Sequence, residues 1–158
     1  MKTKLWILVL IVVAMPCSVQ AEPREDIASL LDAWHLAAAA ADADAYFGAM
    51  SEDCVFLGTD AGERWLRDEL RTWAEPHFAE APAWAFTAHD RSIKMNDTGD
   101  TAWFEEYLET GMGPCRASGV LTLDDGVWRI RHYDLALTVP NELVDALEDL
   151  ISGLAEGD

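Results

Sequence analysis

The spacing of apolar residues changes rhythm partway along the chain. In "REDIASLLDAWHLAAAAA" (residues 24–41), Ile27, Leu30, Leu31, Trp34 and Ala38 recur every three or four positions and predict an amphipathic helix. "DADAYFGAM" predicts a second, short helix with Asp42 or Asp44 as its cap. The short apolar run "CVFLGT" reads as a strand, and "GERWLRDELRTWAEP" as a third helix stopped by Pro76. After the loop-like "HFAEAPAW" the period drops to two. "WAFTAHDRSIKM", "TAWFEEYLE", "CRASGVLTL" and "VWRIRHYDLAL" predict four strands, separated by the turn clusters "NDTGD", "TGMGP" and "DDG". Pro140 and Asn141 then open an amphipathic closing helix with Leu143, Leu147, Leu150, Ile151 and Leu154 on one stripe. Helices first and consecutive antiparallel strands afterwards predict an α+β fold, a curved sheet with helices on one face.

The first residues belong to a different pattern. A basic start, "MKTK", an apolar run of 11 residues, "LWILVLIVVAM", and the small-residue ending "SVQA" have the form of a secretory signal peptide over residues 1–21, cut after Ala21. The run falls short of the roughly 20 apolar residues that span a bilayer. The expected mature domain, 22–158, is exported to the periplasm or secreted, with no membrane attachment after cleavage. Without Lys2 and Lys4 it has 9 basic against 29 acidic side chains, which repel phosphate backbones and argue against a nucleic-acid partner.

Several short stretches, in this order, carry a family likeness: "FLGTDAGERW", "PHFAE", "AWFEE", "CRASGVL" and "VWRIRHYDLAL…PN". They resemble the SnoaL-like domain branch of the nuclear transport factor 2-like superfamily across nearly the whole mature chain. The resemblance implies a cone-shaped, mixed or antiparallel cystatin-like sheet, helices on its concave face, a cavity between them, and often a homodimer. It does not imply one reaction, because the superfamily mixes isomerases, dehydratases, cyclases, hydrolases and non-catalytic binders. It also implies that the first strand lies beside the last. Cys54 and Cys115 would then sit two strands apart, beyond the roughly 7 Å Cα separation of a disulfide.

Strand phase nominates cavity residues. Pairing Leu123 with Trp128 sets Leu121 opposite Ile130 and Gly119 opposite His132. Ala102, Phe104, Glu106 and Leu108 join the same face, while Trp103, Glu105 and Tyr107 go outside. In this register Glu106 and His132 flank a gap on the order of 10 Å, left open by Gly119. Trp34, Tyr46, Phe56, Trp65 and Phe104 are candidates for an aromatic wall, with Trp128 and Ile130 beside them and His77 able to close over the mouth. Each of these residues also fits ordinary core packing, and His77 also fits a helix C-terminal position.

For chemistry, Asp60 at the rim is a candidate base and His132 a candidate acid–base partner, its tautomer set by Glu106 or Asp134. "TDAG" is equally a good turn and helix-start sequence. The four histidines are scattered and predict no metal site, no cofactor motif appears, and Ser118 faces away from His132. Three functions follow: a binder of a small apolar or neutral molecule; a cofactor-independent isomerase, dehydratase or hydrolase; and a protein-interaction module with a plugged cavity.

Overall fold

The sheet has six strands, side by side in the order Arg64–Leu66, Met50–Leu57, Val127–Leu137, Gly113–Asp124, Thr101–Thr110 and Thr87–Met95. A computed structural model describes residues 23–155; the expected signal peptide lies outside them. Two helices, α1 (Pro23–Ala39) and α2 (Ala43–Gly48), come first, then two strands, β1 (Met50–Leu57) and β2 (Arg64–Leu66), then α3 (Arg67–Ala74). They are followed by β3 (Thr87–Met95), β4 (Thr101–Thr110), β5 (Gly113–Asp124), β6 (Val127–Leu137) and α4 (Val144–Ala155). β1 runs parallel to β6, and the other neighbouring strands are antiparallel. This is the expected α+β architecture, and β1 does lie beside β6. Among the described residues no helix is long and apolar enough to cross a membrane.

Local chemistry accounts for the element ends. Asp42 caps α2 by accepting from the Ala45 N–H at 3.0 Å. The Glu69 carboxylate reaches back to the Leu66 N–H, 2.9 Å away, at the start of α3. The helix expected from Gly62 therefore begins only at Arg67, because Arg64–Leu66 pair with Leu57–Val55 as a short edge strand.

α1 lays Ile27, Leu31, Trp34 and Ala38 against the sheet, where they meet Ala102, Phe104, Leu108, Ala117, Leu121, Ile130 and Tyr133. The closing helix forms but does not close anything. Leu150 is 68% exposed and Leu154 75%, so its apolar stripe lies off the core.

Two one-residue bulges turn the sheet's phase. In β3 the register shifts between His89 and Ser92, with Asp90 at φ 52°, and Arg91 turns inward. In β6 Leu121 faces Ile130 but Val120 faces His132, leaving Arg131 as the extra residue. Arg131 fastens this bulge from outside. It binds both Asp53 carboxylate oxygens (2.6 and 2.7 Å), Thr122 Oγ1 (3.0 Å) and Asp124 (2.8 Å).

Among the described residues, Cys54 and Cys115 are both free and buried. Burial, with the Asp53 charge nearby, pushes the Cys54 thiol up to about 12. At pH 8 its thiolate would be about one part in ten thousand. Iodoacetamide is expected to leave Cys54 and Cys115 unmodified in the native protein and to alkylate both in urea. Intact-mass spectrometry counts the adducts, and a native adduct on either thiol would contradict this packing.

Candidate functional site

One end of the sheet holds an open cavity of about 510 Å³. Its wall is assembled from separate elements. The end of β1 and the turn after it bring Phe56, Gly58, Thr59 and Glu63; β2 brings Trp65; α3 brings Leu70 and Trp73. The segment before β3 adds His77 and Ala83–Phe86, the β4–β5 turn adds Gly111 and Met112, and β6 adds Leu135. Four aromatic rings form a connected arc. Trp65 stacks on Trp73 at 4.9 Å, Trp73 lies 5.0 Å from His77, and His77 lies 6.4 Å from Trp84. The lining contains no lysine or arginine, and Glu63 is its one carboxylate.

The deeper part of the cone is filled by the protein's own rings. Tyr133 stacks on Phe56 at 5.2 Å and meets Trp34 edge-on at 4.7 Å. Trp34 stacks on Tyr46 at 4.7 Å and donates its indole N–H to the Tyr46 carbonyl. Burial raises the phenols of Tyr46 and Tyr133 well above their ordinary range, so both stay protonated and neither is a base near neutral pH. The Tyr133 hydroxyl has no hydrogen-bond partner among the described residues.

Behind this aromatic plug lies an ion-pair network. Glu106, 1% exposed, accepts from His35 Nε2 through one oxygen and from Arg91 Nε through the other, both at 2.7 Å. Arg91 also donates to Asp32 at 2.7 Å and to the Ala28 carbonyl at 2.9 Å, tying β3 to α1. Burial opposes the Arg91 charge, but Glu106 and Asp32 outweigh it and hold the guanidinium above its usual value. His35 lies on the α1 stripe with Leu31 and Trp34, so a buried histidine needing a partner was detectable from its spacing.

Three of the expected site residues line the open cavity: Phe56, Trp65 and His77. Trp34, Tyr46 and Phe104 pack in the core next to it, and Trp128 and Ile130 are also core residues that do not touch it. Glu106 faces inward as expected but is spent on His35 and Arg91.

The expected notch at Gly119 does not exist. The bulge sets Gly119 opposite Tyr133 rather than His132, and the Phe104 ring occupies the space a side chain would take. His132 is correspondingly on the outer face, in a recess of about 370 Å³ with Lys94, Trp103 and Ser118. Asp60 is exposed, and its carboxylate accepts from the Gly62 N–H at 2.8 Å, an Asx-type turn bond. Asp60 and His132 therefore do not converge on one void. The lining residues the sequence reading missed include Glu63, from the turn between β1 and β2, and Trp73, Trp84 and Phe86, which join this cavity only because α3 and the segment before β3 fold over the same end of the sheet. Among the described residues no cluster of histidine, cysteine, aspartate or glutamate has the makings of a metal site.

Comparison with known proteins agrees with this architecture. A nuclear transport factor 2-like protein of unknown function from Shewanella oneidensis MR-1 superposes with a TM-score of 0.63 at 17% identity, covering 73% of this chain and 100% of its own. One from Pseudomonas putida KT2440 gives 0.62 at 15% identity, covering 75% and 88%. A protein of unknown function with a cystatin-like fold from Nostoc punctiforme PCC 73102 gives 0.59 at 16% identity, covering 77% and 95%. These likenesses establish the fold alone. No curated protein matches the chain. Residues 27–140 match the SnoaL-like domain, and the chain belongs to that family.

Proposed function

We infer that the mature protein is exported and binds a small, largely apolar molecule in its mouth cavity. One observation carries the reading: an open space of about 510 Å³ walled by tryptophan and phenylalanine with few polar groups. That size and lining suit small-molecule sites, which span about 300–1,000 Å³. An interaction module with a plugged cone would need the mouth filled as well as the interior. An enzyme working through Asp60 and His132 would need those two groups together, and they lie on different surfaces.

Export rests on the signal-peptide pattern of residues 1–21. A homodimer through the outer sheet face is supported by Trp103 and Tyr107, both more than 40% exposed there. One experiment reads all three expectations. Native mass spectrometry of protein recovered outside the cytoplasm should give a chain starting at Glu22, a mass twice that of the chain, and a bound small molecule released on collisional heating. A full-length, monomeric and ligand-free protein would refute the reading.

A further inference from the structure

We propose that the molecule held in the mouth cavity is an organic cation, an ammonium group carried on an apolar body; this rests on the ligand-binding reading above. The argument starts at Glu63. Its carboxylate lies against the backbone of Gly58, where an added Cβ would come within 2.2 Å of Glu63 Oε2. Glycine is thus what lets the carboxylate lie on the cavity wall.

The position is held by the turn. The Gly58 N–H donates to the Glu63 carbonyl and the Glu63 N–H to the Asp60 carbonyl, both at 2.9 Å, and the Asp60 N–H reaches Glu63 Oε2 at 3.2 Å. Among the described residues no arginine, lysine or histidine nitrogen pairs with Glu63. Glu106, Asp53 and Asp124, by contrast, are each neutralised by arginine. A half-buried carboxylate with no cationic partner, held by one backbone N–H, therefore lines an apolar space.

The rings supply the complementary half. Trp65, Trp73 and Trp84 present aromatic surface to the same cavity as Glu63, and the negative face of an aromatic ring attracts a cation within about 6 Å of its centre. An anionic ligand would meet Glu63 with no lysine or arginine in the lining to offset it, His77 being the one basic side chain there. The chain's formal charge of −18 draws cations and repels anions at long range.

Phenyltrimethylammonium and tert-butylbenzene, which differ by nitrogen for carbon, separate this inference from the one beneath it. Binding to the full mature chain is followed by tryptophan fluorescence and by saturation-transfer NMR. The cation is expected to bind about 10-fold more tightly than the hydrocarbon. Glu63→Gln should reduce that preference with little change for tert-butylbenzene, and Trp73→Leu should weaken both probes. Far-UV circular dichroism checks that each variant is folded. Equal or tighter binding of tert-butylbenzene, or a preference unaltered by Glu63→Gln in a folded variant, overturns the cation inference and leaves the apolar cavity intact. Binding of neither probe, or binding insensitive to Trp73→Leu, overturns both.

Discussion

Glu106→Ala is expected to lower the unfolding free energy by about 3–5 kcal/mol, the usual consequence of removing one member of a buried ion pair. The reason is what the substitution leaves behind. Arg91 would keep its charge in a largely buried site with only the exposed Asp32 left to balance it and Nη2 already lacking a partner, and His35 would lose its acceptor. Alanine also opens a void at a position 1% exposed in the wild type. With a urea dependence of about 1–3 kcal/mol per molar, the midpoint should fall by about 2 M. Replacing the whole network, by combining His35→Leu, Arg91→Met and Glu106→Leu, should cost far less, since no stranded charge remains. A Glu106→Ala midpoint within 0.3 M of the wild type (about 0.5 kcal/mol) would show that the network adds no stability.

Gly119→Ala is the second large effect, expected at about 1–3 kcal/mol from overpacking. The new methyl would sit 2.5 Å from the His132 carbonyl oxygen and 2.6 Å from Phe104 Cε1. The ring can yield a little. The carbonyl belongs to the bulged strand that Arg131 fastens to Asp53, Thr122 and Asp124, so it cannot retreat without breaking those bonds. A double-mutant cycle with Phe104→Leu divides the two clashes. The pair should be less destabilised than the sum of the singles, by the part that belongs to the ring. Strict additivity would put the whole cost on the carbonyl clash, whereas a Gly119→Ala protein as stable as the wild type would mean that the strand slides freely at this point.

The same bulge explains what was legible in the sequence. Period-two alternation located β3 to β6 and sent Ala102, Phe104, Glu106 and Leu108 inward, because alternation is a local property of an extended chain. It failed at His132 because counting assumes an unbroken strand. The apolar residues themselves marked the break: Trp128 and Ile130 are in phase, and Tyr133 and Leu135 resume one residue late. Following those residues, rather than the parity of the count, would have put Tyr133 inside. The Asp90 bulge carried no comparable mark, since neither glycine nor proline announces it. The cavity was partly legible because Phe56 and Trp65 flank a recognisable turn. Glu63 stood within the same quoted stretch, but its importance depends on Trp73 and Trp84, brought to it by tertiary packing that no periodicity encodes.

The parallel pairing of β1 with β6 sets the order in which the molecule can be finished. Met50 waits for Ile130, and Phe56 for Tyr133, so the first strand made has only the three-residue β2 as a neighbour until the last strand is in place. Contacts this distant along the chain are the slow ones to form. The antiparallel β3–β6 meander can assemble from near neighbours, and the half bearing β1, β2 and α3 is expected to dock afterwards. The mouth cavity takes Phe56 from one half and Leu135 from the other, so it needs both halves docked.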